Sequence, residues 1–311
     1  MNNQLKITFL GTSASIPSVR RNLPSMIIQK NGFSILCDCG EGVQLQLQKA
    51  NISPSRVRYI FISHLHGDHI FGLNGLLTTQ QLLDRTAPLT LIGPKGIKDY
   101  VDFIQHLSSH TLKYPLMIKE LEDSEDYTLP IDHFSVVTKL LDHSMPCHGF
   151  RFVEEDKPGK FDQKAAEALN VPQGPQRQKL QQGKAVTLEN GRKIQPEQIV
   201  GPPIPGRIIT YCTDTRPCDA ALKLADHANV LVYESTFSQK HHDRALQTYH
   251  STAKQAAEIA DNAQAGVLYL YHISQRNDEE EEETMLREAR EIFPNSFLPQ
   301  DLESIFLDST T

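Results

Sequence analysis

The sequence predicts a mixed α/β fold with helices packed outside β-sheets, and two observations carry that prediction. Nine short apolar runs read as strands: Leu5 to Leu10, Ser25 to Ile28, Ser34 to Leu36, Tyr59 to Ile62, Leu89 to Ile92, Phe134 to Leu141, Arg207 to Cys212, Val230 to Tyr233 and Val267 to Tyr271. Among them fall five segments with apolar residues at three- or four-residue spacing, the mark of amphipathic helices: Ile70 to Leu83, Gly96 to His106, Pro217 to Ala225, Thr252 to Ala260 and Glu282 to Phe293. Elements mixed in this way bury their apolar faces in layers, with the helices outermost.

A chain of 311 residues, 39% hydrophobic and 22% charged, can bury a sizeable core as one large domain or two small ones. No apolar stretch approaches the roughly 18 residues of a membrane span, and Met1-Asn2-Asn3-Gln4 lacks a signal-peptide pattern. The expected setting is therefore the cytoplasm, with no membrane partner. The five cysteines are scattered and odd in number, so reduced thiols are expected, with Cys37 and Cys39 packed as small residues of a strand. A net charge of -7 argues against a surface coated with phosphate-binding groups and leaves room for a local basic patch. Glu279 to Glu283 reads as a solvated helix start, where carboxylates complement the helix dipole.

The chemistry is concentrated after the fourth apolar run. Ser63-His64-Leu65-His66-Gly67-Asp68-His69 sets three imidazoles and a carboxylate within six residues. Alternate side chains of a strand share a face, so His64 and His66 reach one ion together, and Gly67 lets the backbone turn to aim Asp68 and His69 at a neighbouring position. Four ligands this close suggest two metals. Two metals need more donors than the cluster holds, since each zinc takes four or five and a catalytic one keeps a place for water. His143, Asp214 and His272 each follow an apolar run and can reach a common edge. His148 reads as a packing residue, His241 and His242 as surface residues, and His106, His110, His133 and His227 have no partner pattern.

Residues 154–206 differ from their surroundings, holding seven of the chain's 18 prolines and six of its 17 glycines. The segment lacks long apolar runs, carries scattered Lys and Arg, and looks helical only near Ala165 to Leu169. It reads as an arm inserted into the globular body formed by 1–153 and 207–311.

These motifs together resemble the metallo-β-lactamase superfamily and, within it, the ribonuclease Z family of tRNA 3'-processing endonucleases. The likeness spans nearly the whole chain. It rests on Phe9-Leu10-Gly11-Thr12, Cys37-Asp38-Cys39-Gly40-Glu41-Gly42, Ser63 to Leu73, Asp142-His143, Tyr211 to Thr215, Glu234-Ser235-Thr236, His250-Ser251-Thr252 and His272-Ile273-Ser274. It implies an αββα sandwich with a protruding exosite arm. It also implies two zinc ions per subunit, one on His64, His66 and His143, the other on Asp68, His69 and His272, with Asp214 bridging. The arm would be flexible and grip the tRNA body, with Gly174-Pro175 and Leu180 to Lys184 matching family elements. A homodimer is implied too, one subunit's arm holding the precursor tRNA that the other cuts. The loop Pro17 to Asn22 departs from the family pattern by having Val19 where Lys is usual, for which Arg20 compensates.

The implied reaction is cleavage of precursor tRNA on the 3' side of the discriminator base. A metal-bridging hydroxide would attack, with Asp68 as base and ligand, and His250, oriented by Glu234, would protonate the leaving oxygen or stabilise the phosphate. Thr215 and Thr236 are expected to support or pack. Arg20, Arg21, Asn22, Lys179 and Lys184 are the expected RNA contacts, weakening with salt. Two alternatives remain open: a hydrolase of small phosphodiesters or thioesters with the same metals, and a non-catalytic RNA-binding protein with structural zinc.

Overall fold

The computed structural model describes residues 4–108 and 111–307, so His110 and the first three residues lie outside the described residues. All nine expected strands are present, distributed over two seven-stranded sheets. The first runs in the order Ser304–Leu307, Leu5–Gly11, Ser25–Lys30, Phe33–Cys37, Val57–Phe61, Leu89–Pro94 and Leu116–Leu121. The second runs Ser296–Phe297, Leu268–Tyr271, Val230–Glu234, Ile208–Cys212, His148–Glu154, Phe134–Leu140 and Tyr127–Ile131.

Phe9, Phe61, Phe150, Phe152, Tyr211 and Tyr271 fill the core between the sheets. A second apolar layer joins one sheet to the helices Asp219–Ala225, Ala253–Asn262 and Glu279–Ile292, and a third joins the other sheet to Val43–Lys49, Leu73–Leu82 and Ile97–Leu107. The αββα sandwich is thus built by three cores in a stack. Central strands such as Phe33–Cys37 and Val230–Glu234 are buried along their whole length, which is why they read as unbroken apolar runs rather than alternating ones.

Five strands of the two sheets were not apparent from the sequence, one of them the two-residue edge strand Ser296–Phe297. Leu116–Leu121 and Tyr127–Ile131 are edge strands with Lys, Glu, Thr and Pro among their residues, while His148–Glu154 carries His, Gly and Arg inside the second sheet, and Ser304–Leu307 adds a last edge. The expected helix Ile70 to Leu83 is split into Gly67–Ile70 and Leu73–Leu82. At the break, a Cβ on Gly72 would lie 2.1 Å from the Gly40 carbonyl oxygen, so only glycine lets the break pack against the loop that follows Phe33–Cys37. The acidic helix start is confirmed, with the Asp278 side chain capping the helix, but Glu282 is buried rather than solvated because it pairs with Arg21 at 2.8 Å.

Residues 154–206 fold more fully than their composition suggests. Lys157 pairs with Ile204 and Phe161 with Val200, making a two-stranded stem. Beyond it, helices Gln163–Ala168 and Pro175–Gln181 and the hairpin of Val186–Thr187 with Lys193–Ile194 enclose a small core of Ala166, Val171, Leu180, Val186, Leu188, Ile194 and Ile199. Single apolar residues from several short elements replace the long runs that a larger core uses. At the stem's base Glu154 receives two guanidinium bonds from Arg207, at 2.6 and 2.7 Å, and one from Lys30 at 2.7 Å. No helix among the described residues is long and apolar enough to cross a membrane.

Candidate metal centre

The candidate residues follow the carboxyl ends of strands that run side by side in the two sheets. Asp38 follows Phe33–Cys37, His64 follows Val57–Phe61, Asp214 follows Ile208–Cys212, and His272 follows Leu268–Tyr271. In sheets with parallel strands this edge is where ligands gather. Three of these residues, Asp38, Asp214 and His272, have positive φ of 56°, 26° and 59°, conformations that non-glycine residues adopt only when their surroundings hold them.

The structure brings all seven expected ligands together. His64, His66, His143 and Asp214 form one group, and Asp68, His69 and His272 form another. Asp214 Oδ2 lies 3.6 Å from His64 Nε2 and 3.9 Å from His143 Nε2, while its Oδ1 lies 3.3 Å from His69 Nε2 and 3.2 Å from His272 Nε2. One carboxylate therefore faces both groups, a different oxygen to each. Asp68 Oδ2 completes the second group at 3.4 Å from His69 Nε2 and 3.5 Å from His272 Nε2.

The proton positions follow from the outer contacts. His69 Nδ1 donates to Asp38 at 2.7 Å, and His143 Nδ1 donates to the Tyr249 carbonyl at 3.1 Å. Ser63 Oγ gives its proton to Asp38 and so accepts from His64 Nδ1 at 3.0 Å. Thr236 Oγ1 gives its own to Glu234 and so accepts from His272 Nδ1 at 3.0 Å. With Nδ1 protonated, each Nε2 points inward as a lone pair, the tautomer a metal ligand needs. His64 Nε2 and His66 Nδ1 then face each other at 3.0 Å, an arrangement that a cation between them would relieve. His69 Nε2 and His272 Nε2 are fully buried without a hydrogen-bond partner. Such orphaned nitrogens, with two carboxylates among them, fit a divalent metal.

Electrostatics favour neutral imidazoles in the first group, whereas the His69 pKa, although burial opposes it, is raised by the charges of Asp214, Asp38 and Asp68. Burial holds the His64, His66 and His143 pKa values below the ordinary histidine value, favouring neutral ligands. Asp68 and Asp214 lie below the carboxylate range, since the neighbouring histidines outweigh the opposing effect of burial.

His250 stands beside the cluster, its ring 5.4 Å from that of His143. Its Nδ1 donates to Glu234 Oε1 at 2.8 Å. Burial lowers its pKa, but the Glu234 charge and hydrogen bond outweigh this and hold it at about 9. Glu234 is itself fixed by the Thr215 and Thr236 amides and the Thr236 hydroxyl. Geometrically His250 also forms a ligand group with Asp214 and His272.

One expected RNA contact is corrected. Arg21 is 2% exposed, with its guanidinium committed to Glu282, Thr12 and the Pro299 carbonyl, so it builds the fold instead of meeting phosphate. Arg20 is partly exposed but pairs with Glu279 and Glu282, and Asn22 donates to the Glu41 carbonyl. Val19 is fully exposed. Lys179 and Lys184 are exposed around the end of the helix Pro175–Gln181. His148 is buried, as expected of a packing residue, with Nδ1 3.4 Å from Thr138 Oγ1, and Cys37 and Cys39 are buried free thiols.

The sequence reading missed Asp38 as a site residue. Its carboxylate accepts from His69, from the Ser63 amide and hydroxyl, and from the Tyr211 hydroxyl at 2.8 Å. An acid directly after a largely apolar strand was the available signal. Ser15, at φ 57°, was also missed; its amide donates to Asp68 Oδ2 at 2.8 Å.

Comparison with known proteins agrees with this geometry. Residues 5–145 match the family described as anti-Pycsar protein Apyc1, and residues 176–273 match a beta-lactamase superfamily domain. The chain is 43% identical over 303 residues to ribonuclease Z of Geobacillus kaustophilus (strain HTA426), covering 96% of this chain and 98% of that one. It is 41% identical over 307 residues to ribonuclease Z of Bacillus thuringiensis (strain Al Hakam), covering 98% and 100%. Among solved structures, human tRNase Z, short form, superposes with a TM-score of 0.71 at 28% identity, covering 96% of this chain and 98% of that chain.

Proposed function

The chain belongs to the ribonuclease Z family, and on that premise we infer that it is a metal-dependent endoribonuclease that removes 3' trailers from precursor tRNA. The proposed cut is on the 3' side of the discriminator base. The observation that carries the reading is the Asp214 carboxylate facing two histidine groups with a different oxygen to each, with His250 alongside.

We propose zinc as the ion, two per subunit, because imidazole and carboxylate donors in these numbers suit it. His64, His66 and His143 would hold one and Asp68, His69 and His272 the other, with Asp214 shared. A bound pair supplies Lewis acidity, a water acidic near neutral pH, and a clamp for the attacking and leaving oxygens. The chain's own residues do the rest. Asp68, held by the Ser15 amide, stays ionised and accepts the proton of the attacking water. His250, with Nδ1 given to Glu234, offers Nε2–H to the departing 3' oxygen, which is a poor leaving group without a proton.

Substrate reach is assigned to residues 154–206. Lys179 and Lys184 would neutralise phosphates of the tRNA body, with Arg20 and Asn22 nearer the cut. Backbone and shape recognition suits an enzyme that must act on every tRNA. A homodimer in which one subunit's arm serves the other's metal centre, working in the cytoplasm, completes the proposal. Incubation with end-labelled precursor tRNA and zinc, followed by mapping of product ends, tests it: one cut after the discriminator base is expected, and an intact precursor under every metal tried would overturn it.

A further inference from the structure

Three site residues have neighbours in sequence that meet each other outside the metal centre. Asp142 precedes His143, Arg216 follows Asp214 by two, and Tyr249 precedes His250. Arg216 Nε and Nη2 each donate to an Asp142 carboxylate oxygen at 3.0 Å, a bidentate pair. The same guanidinium lies 4.2 Å from the centre of the Tyr249 ring. Backbone bonds reinforce the junction, from the Arg216 amide to the Asp142 carbonyl at 2.9 Å and from the Asp142 amide to Thr215 Oγ1 at 3.1 Å. One side chain thus ties together the loops that carry His143, Asp214 and His250.

The tie bears on a proton. Tyr249 has φ of 61°, a left-handed conformation unfavourable for an aromatic residue, and in it the Tyr249 carbonyl receives His143 Nδ1–H at 3.1 Å. That bond sets the His143 tautomer, which turns Nε2 toward His66 Nδ1 at 3.4 Å and Asp214 Oδ2 at 3.9 Å. Arg216 is partly exposed, and an exposed ion pair alone contributes little to stability. A planar guanidinium that binds a carboxylate through its edge and a ring through its face does what lysine cannot.

We infer that Arg216 is a positioning residue: by gripping Asp142 and Tyr249 at once it holds the Tyr249 carbonyl where it fixes the His143 tautomer and thus the first metal position. The inference rests on His143 being a ligand, as proposed above. The test compares wild type with Arg216→Met and Arg216→Lys. In metal-free protein, long-range nitrogen–proton spectra of the imidazoles should show His143 wholly Nδ1-protonated in wild type and mixed between tautomers in Arg216→Met. Zinc titration against a chelating dye should show one of the two equivalents weakened about 10-fold or more, the other unchanged, and Arg216→Lys intermediate. With precursor tRNA, kcat should fall and KM stay. An unchanged tautomer and unchanged zinc affinity in both variants would overturn the inference, as would a rise in KM alone, which would make Arg216 an RNA contact. Should Arg216→Met not fold, Arg216→Lys decides by the same measurements. Fewer than two zinc ions in wild type would instead count against the metal assignment itself.

Discussion

His250 Nδ1 donates to Glu234 Oε1 across 2.8 Å, and the same imidazole stacks on His272 with ring centroids 5.5 Å apart. The hydrogen bond fixes which nitrogen remains for chemistry, and the stacking fixes where it points. His250→Ala should therefore lower kcat for precursor tRNA by about 10² to 10⁴ with KM nearly constant. Zinc content should stay at the wild-type level. Glu234→Gln should lower kcat less, and the double variant should be no slower than His250→Ala alone, because residues acting through one another are not additive. Full multiplication of the two effects in single-turnover kinetics would show that Glu234 does not act through His250.

Asp38 serves as the buried acceptor for His69, Ser63 and Tyr211. Asp38→Asn keeps its shape but replaces one acceptor oxygen by a donor, which confronts the donors already there. We expect about 10- to 100-fold weaker zinc binding, as is usual when the partner behind a ligating histidine is lost. The unsatisfied buried groups should also cost about 1 to 3 kcal/mol of stability. Competition with a metal chelator and urea unfolding of the metal-free form would separate the two, and unchanged zinc affinity would refute the orienting role.

The contrast between Asp38 and the histidines shows what the sequence could reveal. His64, His66, Asp68 and His69 are close along the chain, so their shared purpose is visible without a fold. His143, Asp214 and His272 are far apart, but each ends an apolar run, and a sheet edge collects such positions. Asp38 also ends a run, yet one carboxylate between two cysteines has no spacing to mark it, and its partner Tyr211 lies on the facing sheet. Arg21 was misjudged for the same reason: its partner Glu282 is 261 residues away. The strands Leu116–Leu121 and His148–Glu154 escaped because polar residues interrupt their apolar pattern, and the small core of residues 154–206 escaped because it draws one or two residues from each element.

At the base of that segment, Glu154 is buried and held at a pKa of about 2, since bonds from Arg207 and Lys30 outweigh the upward push of burial. A carboxylate whose folded value lies below its ordinary 4.5 adds stability that is complete above pH 4.5 and lost as the pH falls toward 2. The shift corresponds to about 3 kcal/mol. Glu154→Gln should lose that amount at neutral pH and converge with wild type near pH 2. Urea midpoints measured along this range test it, and a constant gap between the two proteins would rule the mechanism out.

The final prediction separates substrate grip from bond cleavage. Lys179 lies in the helix Pro175–Gln181 and Lys184 just after it, beyond the stem where Phe161 pairs with Val200. Neutralising both to Ala should raise KM for precursor tRNA and flatten its salt dependence by about one unit per lysine on logarithmic axes, leaving kcat unchanged. Replacing 163–198 by a short glycine-serine turn keeps the stem and the Glu154–Arg207 pair, so the sandwich should fold. That variant should lose precursor cleavage while still hydrolysing bis(p-nitrophenyl) phosphate, which needs only the metal centre. Equal loss of both activities would refute the division of labour, and retained cleavage of precursor tRNA would remove the segment from recognition.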